Sequence, residues 1–345
     1  MNWFIVASAL SKKKRQQPDA QKRLRENRDE SRPAFSFRFI VFILLFILIV
    51  LLFSLWLAGC NVNHLPVKQP SLIIGGRGND NGLFVKPRAI AINAKGNRIA
   101  VIDRAGNVQI FNAEGKLLKI WQLPEFTKGT PTGCSFDKDD NLVMADTHYN
   151  RILMYNLAGE KIMQFGEYGY ENGGMVYPTD VVRDDDGNFY VTEYGELTWD
   201  RVLKYGPDGT FIKQWGRMGD APGQFHRPMS ITLGAGRIYV ADSSNHRIQA
   251  FDMDGKFLLA FGGLGQQTGE MKFPYDIAVD SQGRIFVCEY GNNRIQAFDQ
   301  AGNSIGLWGG FGHGPGQFTG PWGVAVTPKG KLVIADTNNH RVQIF

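Results

Sequence analysis

Residues 87–345 repeat one arrangement of apolar and polar positions six times. Each copy opens with a proline and continues with a short apolar alternation, a glycine-containing turn and a β-rich run that ends in an acid. A polar loop, an apolar run led in most copies by arginine, and a second glycine turn complete the copy. The opening prolines stand 44 to 50 residues apart, at Pro87, Pro131, Pro178, Pro228, Pro274 and Pro321. A period of this length, built from short strands and turns, predicts a radial array of small sheets.

The fourth copy shows how one repeat supplies four strands. Residues 231–233 and 237–241 are rich in β-forming side chains and are separated by a glycine turn. Residues 247–251 and 257–261 form a second pair around an Asp-Gly hairpin turn. Because one small sheet cannot bury both of its faces, such sheets pack against one another around an axis. The chain is therefore predicted to be all-β, a six-bladed β-propeller with four-stranded blades.

The sixth copy ends after its third strand, at Phe345, and has no fourth strand of its own. Upstream of the first copy, residues 72–76 read LIIGG and match fourth strands such as residues 259–263, LAFGG. We therefore predict that residues 71–76 complete the sixth blade and that residues 71–345 form the propeller domain. Ring closure of this kind removes the unpaired strand edges that an open array would expose.

Two octapeptides, DSSNHRIQ at residues 242–249 and DTNNHRVQ at residues 336–343, resemble the NHL repeat, and residues 289–296 are a close variant. The resemblance covers about four-fifths of the chain and implies an NHL-type six-bladed propeller, here as a membrane-tethered bacterial member. It implies little about function, because propellers host many unrelated activities. Six near-equivalent acids cannot all be catalytic, so the repeated acid and arginine are expected to orient loops through charge-assisted hydrogen bonds.

The chain ahead of the repeats divides into a basic tail, an apolar run and a stalk. Residues 39–58 contain Ser54 as their one clearly polar residue and, as a helix, span about 30 Å, the thickness of a bilayer core. Residues 1–38 carry ten lysines or arginines against four acids, which predicts a cytoplasmic tail. The stalk of residues 59–70 then joins a transmembrane helix to a propeller on the periplasmic side of the inner membrane.

Cys60 leaves a second form of membrane attachment open. The residues before it, Leu-Ala-Gly, make residues 57–60 resemble a bacterial lipobox, in which the cysteine becomes the lipidated first residue of the mature protein. In that case residues 39–58 are the apolar part of a cleaved signal instead of a retained anchor. Both alternatives predict an extracytoplasmic propeller tethered to a membrane.

The distribution of charge argues against a nucleic-acid partner. The tail contributes +6 to a chain whose net charge is +5, so the remainder of the chain is nearly neutral at −1. A nucleic-acid-binding domain usually presents a basic face. We therefore expect no nucleic acid among the partners.

The residues that follow the opening prolines differ from copy to copy while the framework around them repeats, and they should line one mouth of the central channel. Aromatic and acidic residues of this kind suit recognition of a protein, a peptide or a glycan of the cell envelope. Together with neighbouring loop residues, the candidate ligand-binding or partner-binding residues are Arg88, Thr132, His148, Tyr149, Thr179, Asp180, Tyr194, Glu196, Trp199, Met229, Tyr275, Asp276, Tyr290 and Trp322. The sequence thus predicts a recognition or scaffold module.

A propeller hydrolase or lyase with a divalent metal at the channel mouth is the alternative. Amidating lyases that resemble this repeat hold zinc through histidines, one of which tends to follow a blade-opening proline, and none of the six positions here is histidine. In sugar-lactone hydrolases of propeller fold, carboxylates and amides surround a divalent ion, and Asp180 and Asp276 would supply part of such a set, with Arg88 or His148 as further catalytic candidates. Since no full metal set or cofactor motif is recognisable, the sequence favours binding over catalysis and predicts no metal and no cofactor.

Overall fold

The computed structural model describes residues 68–171, 173–195 and 199–345, together with residues 42, 44, 46 and 47. Its described part contains 24 strands in six four-stranded antiparallel sheets. The strands, in chain order, are β1 (Leu72–Gly75), β2 (Pro87–Ile92), β3 (Ile99–Asp103), β4 (Asn107–Phe111), β5 (Leu117–Gln122), β6 (Gly133–Phe136), β7 (Leu142–Asp146), β8 (Arg151–Tyr155), β9 (Lys161–Phe165), β10 (Pro178–Arg183), β11 (Phe189–Glu193), β12 (Arg201–Tyr205), β13 (Phe211–Trp215), β14 (Pro228–Gly234), β15 (Arg237–Asp242), β16 (Arg247–Phe251), β17 (Phe257–Gly262), β18 (Pro274–Val279), β19 (Ile285–Glu289), β20 (Arg294–Phe298), β21 (Ser304–Gly309), β22 (Gly323–Val326), β23 (Leu332–Asp336) and β24 (Arg341–Ile344).

In five of the six blades, four strands that are consecutive in the chain follow one another from the channel outwards. Blades one to five are β2–β5, β6–β9, β10–β13, β14–β17 and β18–β21, and their first strands lie side by side around the axis. Short 3-10 turns follow the second strand in three blades, at Thr147–Tyr149, Ser243–Asn245 and Thr337–Asn339. This architecture confirms the predicted all-β, six-bladed fold.

The sixth blade is closed by the predicted upstream segment. Strand β1 pairs antiparallel with β24, with Leu72 opposite Ile344 and Gly75 opposite Arg341. Ile74 is 6% exposed and packs in an apolar cluster with residues of both the first and the sixth blade. The two ends of the propeller are therefore fastened to each other by one strand.

The core lies between blades. Apolar side chains form six clusters in the described part of the propeller, each shared by two neighbouring blades. A blade therefore buries its faces only against its neighbours, which is why an incomplete ring would be unstable.

The repeated acid and arginine form a clamp that holds the loops of one face. In five blades the arginine that opens the third strand donates its Nε–H to the acid that ends the second strand, over 2.6 to 2.8 Å. In four of these blades the other guanidinium nitrogens donate to carbonyls of the preceding interblade loop, as Arg247 does to Ala221 and Gln224. In the second blade Arg151 instead pairs with the Glu125 carboxylate. In the first blade Asp103 instead accepts backbone N–H groups, including that of Val85. The expected structural role of these residues is confirmed.

The clamps define an upper face, which carries the starts of the inner strands, the loops between second and third strands, and the interblade loops. The glycine turns that follow the first and third strands lie on the opposite, lower face. Strand β1 begins at the lower face, because Leu72 lies opposite Ile344 at the end of β24.

The predicted basic tail of residues 1–38, Cys60 and most of the apolar run lie outside the described residues. Within the residues that are described, no helix is long and apolar enough to cross a membrane.

Closure by β1 predicts a large difference between two adjacent isoleucines. Ile74→Ala should lower the free energy of unfolding by about 2–5 kcal/mol, because it leaves a cavity between the first and sixth blades. Ile73→Ala, on the 38% exposed neighbour, should cost below about 1 kcal/mol. Urea denaturation of both variants measures the two values, and equal losses would mean that β1 does not fasten the ring.

Candidate functional site

Several predicted site residues converge at the centre of the upper face. Tyr275 stacks on Tyr290, with ring centroids 4.6 Å apart and planes 16° apart. Trp322 meets the Tyr275 ring edge-on at 4.7 Å. The Arg88 guanidinium carbon lies 4.4 Å from the centroid of the Trp322 ring, so a cation covers one aromatic face.

A second aromatic pair lies on the side of the third and fourth blades. Tyr194 stacks on Tyr177 at 5.7 Å, and the Arg227 guanidinium carbon lies 5.1 Å from the Tyr194 ring centroid. Tyr177 and Arg227 were not among the predicted residues. Each precedes an opening proline and has positive φ, 49° and 56°, a conformation that residue type alone does not reveal and that Lys86 and Phe273 share before their prolines.

We call the set Arg88, Tyr194, Arg227, Tyr275, Tyr290 and Trp322 the mouth. Arg88 is close enough to Tyr194, Tyr275 and Tyr290 for their hydroxyls to act on its charge, and burial is the main factor that lowers the pKa of its guanidinium. Among the described residues no acid forms a salt bridge with Arg88 or Arg227. The mouth is therefore an aromatic site with positive charge.

Three of the predicted residues are part of the framework. Thr179 and Met229 are buried, at 0% and 4% exposure, and Thr179 hydrogen-bonds to the Pro228 carbonyl of the next blade. The Thr132 hydroxyl likewise donates to the Thr179 carbonyl at 2.8 Å. These side chains position the inner strands and do not face the mouth.

The remaining loop candidates lie around the mouth. The His148 imidazole contacts the Tyr177 ring, and burial lowers its pKa, with a further contribution from the Arg88 charge. Tyr149 lies under the Arg151 guanidinium, further out. Trp199 packs on Tyr170, also away from the channel. Glu196 lies outside the described residues.

The two predicted acids lie inside the channel. The Ser230 hydroxyl oxygen lies 2.8 Å from Asp180 Oδ2 and 2.7 Å from Asp276 Oδ1. One hydroxyl carries one proton, so it can donate to only one of these oxygens. The second hydrogen bond needs a proton on a carboxyl, and we therefore assign one shared proton to the Asp180–Ser230–Asp276 set, which we call the carboxyl pair.

Backbone amides occupy the other sides of both carboxyl groups. Asp180 accepts the N–H groups of Val181 and Ile231, at 2.8 and 3.1 Å. Asp276 accepts those of Ile277 and Val324, both at 2.8 Å. The carboxyl pair thus links the third, fourth, fifth and sixth blades.

Glycines in neighbouring blades make room for these acids. A Cβ on Gly133 would overlap the Asp180 carboxyl group, and a Cβ on Gly323 would lie 2.6 Å from the Arg88 carbonyl oxygen and 3.4 Å from Asp276 Oδ2. At the second position after the opening proline, Asp180 therefore packs against Gly133 of the preceding blade, and Asp276 packs near Gly323 of the following blade.

The carboxyl pair borders a cavity of about 240 Å³ that is lined by residues of the inner strands, with Ser135, Arg183 and Thr232 as further polar residues. Burial raises the pKa of Asp276 to about 7, and burial together with the Asp276 charge raises the pKa of Asp180 well above its usual value. The thiols of Cys134 and Cys288 near the pair are neutral, because burial raises their pKa values well above normal.

The described residues of the channel do not supply a complete ligand set for a divalent metal ion. All four oxygens of the carboxyl pair already accept N–H or O–H hydrogen bonds. In the described ranges no three His, Cys, Asp or Glu side chains are grouped so that they could hold a metal.

Two sequence profiles match the chain. The profile of the SMP-30/Gluconolactonase/LRE-like region covers residues 125–309, more than half of the chain, and that of the NHL repeat covers residues 318–345. The chain belongs to the SMP-30/gluconolactonase/LRE-like family. The NHL match, with this family, confirms the propeller family that the repeats indicate.

Individual relatives match over part of their length. NHL repeat-containing protein 3 of Mus musculus is 28% identical over 196 residues, 52% of this chain and 56% of that protein. Peptidyl-glycine alpha-amidating monooxygenase A of Xenopus laevis is 32% identical over 140 residues, 37% of this chain and 15% of that protein. The chain therefore spans about half or less of these curated relatives.

Solved structures share the fold. A streptogramin B lyase structure superimposes with a TM-score of 0.57 at 14% identity, covering 79% of this chain and 97% of the lyase. A protein of unknown function from Bacteroides thetaiotaomicron gives a TM-score of 0.61 at 16% identity, covering 81% and 74%. At these identities the likeness concerns the fold alone.

The raised pKa of Asp276 predicts a specific pH dependence of stability. The raised pKa of Asp276 means that the folded protein keeps a proton which the unfolded chain releases near pH 4. This stabilisation is complete below about pH 4, declines as the pH rises and is lost through about pH 7. Between pH 5 and 7 the free energy of unfolding of the wild type should therefore fall more steeply than that of Asp276→Asn, by up to about 1.4 kcal/mol per pH unit.

Urea denaturation at pH 5, 6, 7 and 8 measures this difference in slope. Asp185→Asn, on an exposed turn of the lower face, is the matched control and should follow the wild type. Parallel slopes for the wild type and Asp276→Asn would show that the carboxyl pair holds no such proton.

Proposed function

We propose that this protein is a recognition module that binds a protein or peptide partner of the cell envelope through its upper face. The observation that carries the proposal is the mouth, where aromatic rings and two guanidinium groups converge from five blades. Tyrosine, tryptophan and arginine are the residues that dominate binding energy at protein interfaces, because they combine a large apolar surface with hydrogen-bond donors.

Exposed apolar side chains at the rim of the same face favour a protein or peptide over a glycan. Four interblade loops present one at the same structural position, in each case paired with a fully buried residue of the same loop. They are Tyr168, Met218, Leu264 and Phe311, with exposures of 60%, 45%, 65% and 70%. A glycan held at the mouth would not reach this rim, whereas a folded partner lying across the face would cover it.

The comparisons support a peptide-class partner. The Xenopus laevis amidating monooxygenase is named for peptidyl-glycine, and its match to this chain reaches 32% identity over 140 residues. Catalysis at the channel, as a hydrolase or lyase, is the weaker alternative. The carboxyl pair that would serve it is committed to hydrogen bonds that join four blades.

We further propose that residues 39–58 hold the propeller on the outer side of the cytoplasmic membrane as a retained anchor. Their length and lack of charge support a membrane span, and the basic residues before them support this orientation.

Partner capture tests the recognition proposal with matched pairs of variants. The rim variant Leu264→Asp/Phe311→Asp should lose a partner that the wild type retains from solubilised membranes, by about tenfold or more, because each charge lies in the interface. The control Leu258→Asp/Ile305→Asp changes the same residue class on outer strands of the same two blades, at 41% and 51% exposure. It should retain the partner, and equal retention by both variants would exclude the upper face.

Intact mass of the membrane-extracted protein tests the anchor. We expect a species that begins at Met1. Cys60→Ala should change its mass only by the substitution itself and should leave it attached to the membrane, because the apolar run suffices to hold the chain. A species that begins at a diacylated Cys60 would instead establish lipoprotein processing.

A further inference from the structure

We infer that Arg88 forms the base of an anion subsite in the mouth, and that the subsite takes a carboxylate of the partner, from an acidic side chain or a peptide C-terminus. The inference rests on the proposed function, because it specifies the chemistry by which the upper face holds a peptide. Because the inference concerns the Arg88 side chain alone, an experiment can exclude it without excluding the proposed function.

The first argument is that Arg88 lacks the ion pair that each of the five clamp arginines makes. The five clamp arginines each donate to a buried acid at 2.6 to 2.8 Å. Arg88 has no such acid within the described residues, and its Nε is buried without a hydrogen-bond partner there. A partly buried guanidinium without a counter-ion is unfavourable, so this position is suited to an anion supplied from outside.

The second argument is geometric. The Arg88 guanidinium is held by the Trp322 ring at 4.4 Å, which fixes its plane before any ligand arrives. Tyr194, Tyr275 and Tyr290 lie around it, and their hydroxyls are further donors for an anion. A preformed fork with aromatic walls binds without the entropic cost of ordering a flexible side chain.

The third argument selects a carboxylate over a phosphate. One stacked guanidinium carries a single charge in a planar fork, which matches a planar monoanion. Recognition of phosphate groups generally uses clusters of arginines. The second cation of the mouth, Arg227, is exposed and stacks on Tyr194 instead of converging on Arg88. The nearest other positive charge is that of Arg104, which adds to burial in lowering the Arg88 pKa and does not stack on the rings of the mouth. The rings beside the fork would contact the apolar part of the residue that carries the carboxylate.

The experiment compares two small probes that differ only in charge. N-acetyl-L-phenylalanine and its neutral amide are titrated into the full-length protein in detergent, and their affinities are measured by ligand-observed nuclear magnetic resonance. The acid should bind at least about tenfold more tightly than the amide, as expected for charged hydrogen bonds. Arg88→Gln should abolish the preference, and Arg88→Lys should restore only part of it, since lysine keeps the charge but loses the fork.

Two further variants and one further probe complete the design. Arg77→Gln, on an interblade loop of the same face, is the charge-matched control and should keep the preference. Glu196→Gln tests the acid of the Tyr194 loop, which lies outside the described residues. If it raises the affinity for the acid about tenfold, Glu196 occupies the subsite in the free protein and the inference of a partner carboxylate is overturned. Inorganic phosphate that competes more strongly than acetate would also overturn it.

The outcomes separate this inference from the proposed function. Equal binding of acid and amide, or a preference that persists in Arg88→Gln, would exclude the anion subsite. Neither result would exclude capture of the partner through the rim. If the preference depends on Arg88 but the rim variant still captures the partner, the anion subsite is supported and the rim is excluded as part of the interface. Circular dichroism and thermal melting confirm that Arg88→Gln and Arg88→Lys are folded.

Discussion

The buried acid at the end of each second strand is the constraint on which the upper face depends. In five blades it fixes an arginine, and in four of these the arginine in turn donates to carbonyls of the preceding interblade loop. Removal of one partner would leave an unpaired buried charge, which typically costs 3–5 kcal/mol. The loops are therefore held in one conformation, and the side chains that they carry keep fixed positions around the axis.

The fixed framework explains why variation is concentrated after the opening prolines. A proline starts four of the inner strands at the same level, and the residue that follows it contributes to the mouth as Arg88 and Tyr275 or is buried as Thr179 and Met229. Those positions can change without loss of the clamp, because the clamp uses the second and third strands. Arg88, Tyr275 and Trp322 thus form a preorganised surface on a ring whose stability comes from elsewhere.

The fold was predictable from sequence because its determinants are local and repeated. The closing strand β1 was recognisable from LIIGG alone, since Ile74 has to fill the same interblade position as Phe261 in the fourth blade. The site was predictable only in part. The acids were expected beside the aromatic residues, and the structure places Asp180 and Asp276 inside the channel, where Gly133 and Gly323 leave room for them.

Contacts between blades are the part that a single sequence does not contain. Arg88 and Trp322 are separated by most of the chain and meet only because the ring closes. Tyr177 and Arg227 reach the mouth because of a positive φ before a proline, which the repeat pattern does not mark as unusual. The cationic character of the mouth therefore had to be read from the structure.

The mouth and the carboxyl pair share strand β18, in which Tyr275 and Asp276 are consecutive. The pairing register shifts between Pro274 and Asp276, so Tyr275 is the extra residue of a β-bulge, and one strand supplies a ring to the surface and an acid to the channel. The dependence between them runs in one direction. The mouth needs the inner strands to be held in register, to which the shared proton contributes, whereas the carboxyl pair makes all its hydrogen bonds with inner-strand atoms and none with the mouth. Recognition at this surface is therefore expected to follow the integrity of the ring, and the ring can tolerate a wide choice of side chains at the surface.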